Sequence, residues 1–153
     1  METDIELVLR KLLDGPPDKS LIFVLGSRSR YFFESELPNG RFAFSSLRAV
    51  DNSRRNIKVM FLEKLQYLFI YLTKFEAEGL KSLKQVIIYG LDELIKCNTA
   101  NFLSASQVRL ANLIYSISFR VMRRHNVTVQ FVLFRSPGIK DFESLENYWR
   151  YIT

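Results

Sequence analysis

The sequence predicts an α/β domain in which a mostly parallel central sheet carries helices on both faces. Three observations predict it. First, Leu21-Ile22-Phe23-Val24-Leu25 and Val86-Ile87-Ile88-Tyr89 are apolar without alternation. That is the pattern of strands covered on both sides, as in the middle of a parallel sheet. Second, the stretches follow the order helix, strand, irregular segment, strand, helix, strand, helix, strand, helix, and such alternation favours parallel strands joined by crossover helices. Third, the chain of 153 residues is 48% apolar, with no internal repeat and no dividing linker. Residues 1–153 therefore read as one domain able to bury a sizeable core.

Each element has a local cause. Thr3 followed by Glu6 has the capping-box form, and Ile5, Val8, Leu9, Leu12 and Leu13 then share one helical face. Asp14-Gly15-Pro16-Pro17 ends that helix, since proline cannot extend the ladder. Leu21 to Leu25 is the first strand, and Gly26-Ser27-Arg28-Ser29-Arg30 after it reads as an ordinary strand-to-loop turn. Pro38-Asn39-Gly40 is a turn signal. The segment holding Phe42, Phe44, Leu47 and Val50 yields no pattern, and 51–56 is polar and basic. Ile57 to Phe61 alternates loosely as a strand.

A helix is predicted from Leu62 to Glu78, with Leu62, Leu65, Leu68, Phe69, Leu72 and Phe75 packed on the sheet. The central strand around Val86–Tyr89 ends at Gly90, and Asp92 and Glu93 turn the chain into polar territory. Leu94-Ile95-Lys96-Cys97-Asn98 leads into a loop. Ser104 and Gln107 form another capping box, opening a helix to about Arg124. Its apolar arc, with Leu110, Ala111, Leu113, Ile114, Ile117, Val121 and Met122, covers over half the circumference, so it should touch more than one layer. His125-Asn126 breaks it, Val127 to Phe134 is the fourth strand, and Pro137-Gly138 ends that. Asp141 is expected to cap a last helix in which Phe142, Leu145, Tyr148, Trp149 and Ile152 share a docked face.

Composition bounds the function. No apolar run approaches the ~20 residues of a membrane span. The start, Met1-Glu2-Thr3-Asp4, is acidic and lacks the order of a secretion signal. The single cysteine, Cys97, cannot pair within the chain and points to a reducing compartment. The net charge of +6 permits an anionic partner such as nucleic acid. His125 is the one histidine, so no cage of soft metal ligands can be built from this chain. Next to Arg123 and Arg124 it reads as a surface cap rather than a base.

No catalytic set emerges. Gly26 to Arg30 stands where a phosphate loop follows the first strand, but the second glycine, the lysine and the magnesium-binding hydroxyl are missing. In nucleotide-hydrolysing α/β proteins a carboxylate follows the central strand and holds the metal. Here that place holds Tyr89 and Gly90. Asp92 is the nearest acid, with a helix-capping or solvent-facing role expected for it. No cofactor, metal or catalytic residue is expected.

Two surfaces are candidates. Tyr67, Ile70 and Tyr71 fall off the core face of their helix, and tyrosine suits a partner surface. Tyr115, Phe119, Tyr148 and Trp149 extend that set. Arg28, Arg30, Arg54 and Arg55, with the stripe Arg109, Arg120 and Arg123, are the residues through which phosphates would be met.

Several of these stretches together resemble a known family. Val59 to Thr73, Val86 to Leu91, the closing Leu145 to Ile152 with its central Trp149, and the strand Leu21–Leu25 with Gly26 are similar to the smallest-subunit family of the budding-yeast Shu complex, a branch of the RecA-type recombinase paralogues. The resemblance implies a reduced RecA-like core, a degenerate relative of the P-loop ATPases, with a non-catalytic role in the nucleus. It implies a subunit joining a zinc-binding SWIM-domain subunit to a pair of recombinase-like subunits that carry the main DNA-binding surface. The family's complex promotes recombinase filament assembly on single-stranded DNA, in homologous recombination and error-free bypass of replication damage. The missing phosphate-loop residues, and Tyr89 in the metal-holding position, agree with that. Two other readings stay open: a stand-alone basic DNA-binding module, and a degenerate nucleotide hydrolase using Asp92.

Overall fold

The computed structural model describes residues 3–16, 18–36, 53–79, 81–95, 102–135 and 138–152. The turn expected at Pro38-Asn39-Gly40, the segment from Phe42 to Val50, and Cys97 lie outside the described residues.

Among the described residues four parallel strands form the sheet: β1 (Lys19–Leu25), β2 (Ile57–Leu62), β3 (Leu83–Tyr89) and β4 (Thr128–Val132), in the order β2-β1-β3-β4. The registers place Phe23 beside Met60 on one side and Ile88 on the other, and Ile88 beside Phe131. The two continuous apolar runs are thus the two internal strands. Ile22, Phe23, Val24, Leu25, Val86, Ile87 and Ile88 are all fully buried. The edge strands β2 and β4 are only partly buried, and they carry the polar positions Lys58, Thr128 and Gln130.

Helices cover both faces. On one lies α1 (Asp4–Asp14), whose Ile5, Val8 and Leu9 pack on Ile22, Val24, Ile87, Tyr89 and Val132. The capping threonine works as expected, Thr3 accepting from the Glu6 N–H at 3.4 Å. On the other face lie α3 (Leu65–Glu78), α5 (Ala105–His125) and α6 (Lys140–Ile152), around Phe23, Leu25, Val86 and Ile88. The capping box at Ser104 and Gln107 is complete, and Asn126 ends α5 with φ 53°, a left-handed cap. As its wide apolar arc demands, α5 touches β4, α3, α6 and the short α4 (Leu91–Ile95). Asp141 stands inside α6 rather than before it, and its carboxylate accepts from the Leu103 N–H at 2.8 Å, tying the entry of α5 to α6. Among the described residues no helix is long and apolar enough to cross a membrane.

Two stretches expected as turn or loop are helical. Ser27–Tyr31 forms α2 and Phe32–Glu36 a π-helical turn. Leu91–Ile95 forms α4, with Leu91 and Ile95 buried. Such short helices are marginal by propensity, and tertiary contact supplies the difference. Phe32 meets Phe134 edge-on at 6.5 Å, and Phe33 meets Phe61 at 6.1 Å. The helix expected from Leu62 starts at Leu65, because Leu62 still pairs with Leu25 in the sheet.

Candidate protein-binding surface

Open parallel sheets bind their ligands beyond the carboxyl ends of the strands, where the strand order reverses. Here β1 has β2 on one side and β3 on the other, so that crevice lies past Leu25 and Tyr89. The chain's own atoms fill it. Gly26 leaves β1 with φ 87°, its N–H bonds the Leu62 carbonyl at 3.0 Å, and α2 begins at the next residue. There is no loop to wrap a phosphate. Ser29 of α2 is fully buried against Gly90, which has φ 92°. A Cβ at Gly90 would overlap Ser29 Oγ and come within 2.6 Å of the Leu25 carbonyl oxygen. The glycine is there for close approach of α2 to β3. Tyr89 is buried too, its ring 6.2 Å from that of Phe134.

Asp92 departs from its expected role. It neither caps a helix nor faces solvent: it is 5% exposed. Oδ1 accepts from the Phe134 N–H at 2.9 Å and Oδ2 from the Arg135 N–H at 3.0 Å. These amides lie just past β4, so Asp92 staples the ends of β3 and β4 together. Glu93 adds a looser pair to Arg135 at 3.8 Å. Nothing in the spacing of Asp92 announces this, since its partners lie over forty residues away.

The surface that stands out instead is an apolar groove of about 510 Å³ between the amino-terminal halves of α3 and α5. Phe69 and Ile70 rise from α3, Leu110 and Leu113 from α5, with Ile114 and Leu94 at the floor and Glu63 and Lys64 at the rim. Ile70 is 60% exposed, Leu113 52%, Leu110 41% and Phe69 39%. Four large apolar side chains held in one concave place are the mark of an interaction site; scattered singly they would mean little.

Ile70 and Tyr67 are exposed as expected. Other members are reassigned. Tyr71 is half-buried, its ring 5.8 Å from Phe23 and 6.4 Å from Phe75. Tyr115 and Phe119 are fully buried, at 4.6 and 5.8 Å from Phe131 of β4. They are core because β4 and α6 both close over that side of α5. Tyr148 is exposed, whereas Trp149 is half-buried and donates its Nε1–H to Asn112 Oδ1 at 2.9 Å. Conversely Phe69, Leu110 and Leu113, expected in the core, lie on the groove. One signal was available: Leu113 falls in line with Arg109, Ser116 and Arg120 at spacings of four, three and seven, on the polar strip of α5.

A comparison with known families decides the chain's kinship. The family described as "Suppressor of HU sensitivity involved in recombination protein 1" matches residues 6–153. The chain belongs to that family. A relative of the same description from Saccharomyces cerevisiae (strain ATCC 204508 / S288c) is 29% identical over 103 residues, covering 67% of this chain and 66% of the relative. The alignment thus spans just under two thirds of the relative's own length. In this family member Gly26 leads directly into α2, and Ser29 of that helix packs against Gly90.

The seven candidate arginines are not one patch. Arg28 and Arg30 follow the carboxyl end of β1, and Arg54 and Arg55 precede the amino end of β2, at opposite ends of the parallel sheet. Arg30 pairs with Glu34 at 3.0 Å and lies over the Phe61 ring at 4.7 Å. Arg109, Arg120 and Arg123 do share an exposed strip of α5. Arg120 is bound to Glu76 of α3 at 2.6 Å. The Glu76 carboxyl is held below its ordinary range, chiefly by that hydrogen bond and charge, with smaller help from Arg124 and His125 and against its own burial. His125 is indeed a cap, but of the neighbouring helix: Nε2 lies 2.9 Å from the Glu76 carbonyl oxygen, which can only accept, so Nε2 carries the proton.

Proposed function

We propose that this chain is a non-catalytic scaffold subunit of a recombinase-paralogue (Shu) complex acting in the nucleus. It bridges a zinc-binding SWIM-domain subunit and recombinase-like subunits, and the assembly promotes recombinase filament formation on single-stranded or forked DNA. That work belongs to homologous recombination and error-free damage tolerance. The observation that carries the reading is the exposed groove of Phe69, Ile70, Leu110 and Leu113. Family membership supports it, and so does the filled crevice at the carboxyl ends of β1 and β3, which favours holding neighbours over turning over nucleotide.

The test is co-expression of the full chain with SWIM-domain and recombinase-like subunits from the same source, followed by co-purification. Ile70→Glu and Leu113→Glu sit on exposed positions, where substitutions leave stability within about 0.5 kcal/mol. Each should weaken association by at least about thirtyfold, the loss of one hot-spot contact of ~2 kcal/mol. Full recovery of the complex with both substitutions in place would remove the groove from the interface. Expressed alone, the wild-type chain should aggregate or dissolve poorly, and the double variant should behave better.

A further inference from the structure

A second opening lies along the free edge of β4. Among the described residues no strand pairs with that edge. Val132 offers its carbonyl to the Gly90 N–H at 2.9 Å, so its backbone groups face β3. Backbone polar groups alternate sides along a parallel strand. The N–H and C=O groups of Val129 and Phe131 therefore point outward. Phe131 lines a groove of about 570 Å³ whose floor, with Gln130, Val132 and Leu133, is the strand edge, and Val129 lies next to it along that edge. Asp4, Leu7 and Lys11 of α1 form one wall, Glu143 and Glu146 of α6 the other, and Arg135 stands at the end beyond β4. Leu7 is 44% exposed. Glu146 pairs with Arg150 at 2.9 Å, whereas among the described residues no ion pair is seen for Glu143.

We propose that this groove receives an extended peptide segment of a partner protein, which adds a fifth strand beside β4. The floor dictates the occupant. Outward N–H and C=O groups at every second residue are matched only by another extended backbone, as in strand addition at sheet edges. The walls dictate its side chains. Successive residues of the added strand point to opposite faces, so one parity meets Leu7 on α1 and the other meets Glu143 on α6. The matching segment alternates apolar and basic residues and carries no proline where the backbone pairs. This site and its occupant are independent of the identity of the complex proposed above, and neither uses the groove between α3 and α5.

The experiment selects random linear peptides, displayed on phage, against the full chain, and maps bound peptides by amide exchange. Expected are enriched peptides with the apolar–basic alternation. On binding, the amides of Val129 and Phe131 should slow by at least about tenfold while those of Gln130 and Val132, already paired, stay unchanged. Leu7→Glu and Glu143→Lys should each weaken binding about tenfold, and acidic replacement of the peptide's basic residues should restore binding to Glu143→Lys. Both positions are exposed; Leu7→Ser and Glu143→Gln, giving smaller losses, stand in if either charged variant unfolds. No enrichment, binding indifferent to both walls, or protection confined to the α3–α5 groove would overturn the proposal. So would concentration-dependent protection of Val129 and Phe131 without peptide, which would give the edge to a second copy of this chain.

Discussion

Removing the carboxylate of Asp92 tests whether this residue staples the sheet or serves a nucleotide site. Its two oxygens accept the N–H groups of Phe134 and Arg135 at 2.9 and 3.0 Å from a site that is 5% exposed. Stranding a buried donor costs about 1–3 kcal/mol, and bonds to a charged acceptor lie toward the upper end. Phe134 is half-buried and Arg135 exposed, so water recovers part of the second bond. Asp92→Ala should therefore lose about 2–4 kcal/mol of stability, and Asp92→Asn about 1–2 kcal/mol, because its amide keeps one acceptor but sets N–H against N–H. A domain with a total of roughly 5–15 kcal/mol would feel either change. Urea unfolding followed by far-UV circular dichroism and by the emission of Trp149, the one tryptophan, measures it at low protein concentration. A loss below about 0.5 kcal/mol for Asp92→Ala would show that the staple carries no weight. ATP binding by the wild type, abolished by Asp92→Asn with the fold intact, would instead return this carboxylate to a nucleotide site.

Gly90→Ala should cost at least about 2 kcal/mol, since it forces a side chain onto φ 92° and into Ser29 Oγ and the Leu25 carbonyl. Adding Ser29→Ala should recover only the part due to the hydroxyl; wild-type stability in Gly90→Ala alone would mean that Ser29 is not packed on Gly90. The lowered pKa of Glu76 fixes a sign for acid stability: its contribution is complete above the ordinary carboxylate value of 4.5 and is lost as pH falls through the lower folded pKa. With Arg120 half-exposed, Glu76→Gln should cost only about 0.5–1 kcal/mol at neutral pH, and nothing once Glu76 is protonated. Parallel unfolding midpoints of the two proteins from neutral to strongly acidic pH would contradict the pairing.

Much of the architecture was legible because local pattern and tertiary role coincide. A strand covered on both faces has no polar side to show, so Leu21–Leu25 and Val86–Tyr89 declare themselves as the inner strands. Capping boxes satisfy N–H groups within three residues, so Ser104 and Gln107 mark a helix start without help from the rest of the molecule. The proposed binding surface was half legible. Ile70 stands off the face its helix must bury, and any single packed sheet leaves it outside. Leu113 carried a quieter signal in its alignment with Arg109 and Arg120.

The class of fold, the parallel sense of the strands and the want of phosphate-loop residues could be read from stretches close together in the chain. Which half of α5 is core depends on packing between distant elements. Tyr115 and Phe119 go inside because β4 brings Phe131 against them, and Leu110 and Leu113 stay out because α3 meets α5 in a groove rather than a seal. Helix periodicity says how wide an apolar arc is; it cannot say which parts of that arc a distant strand or helix will cover. The same limit explains Asp92, whose partners on the strand end opposite become neighbours only when the sheet closes.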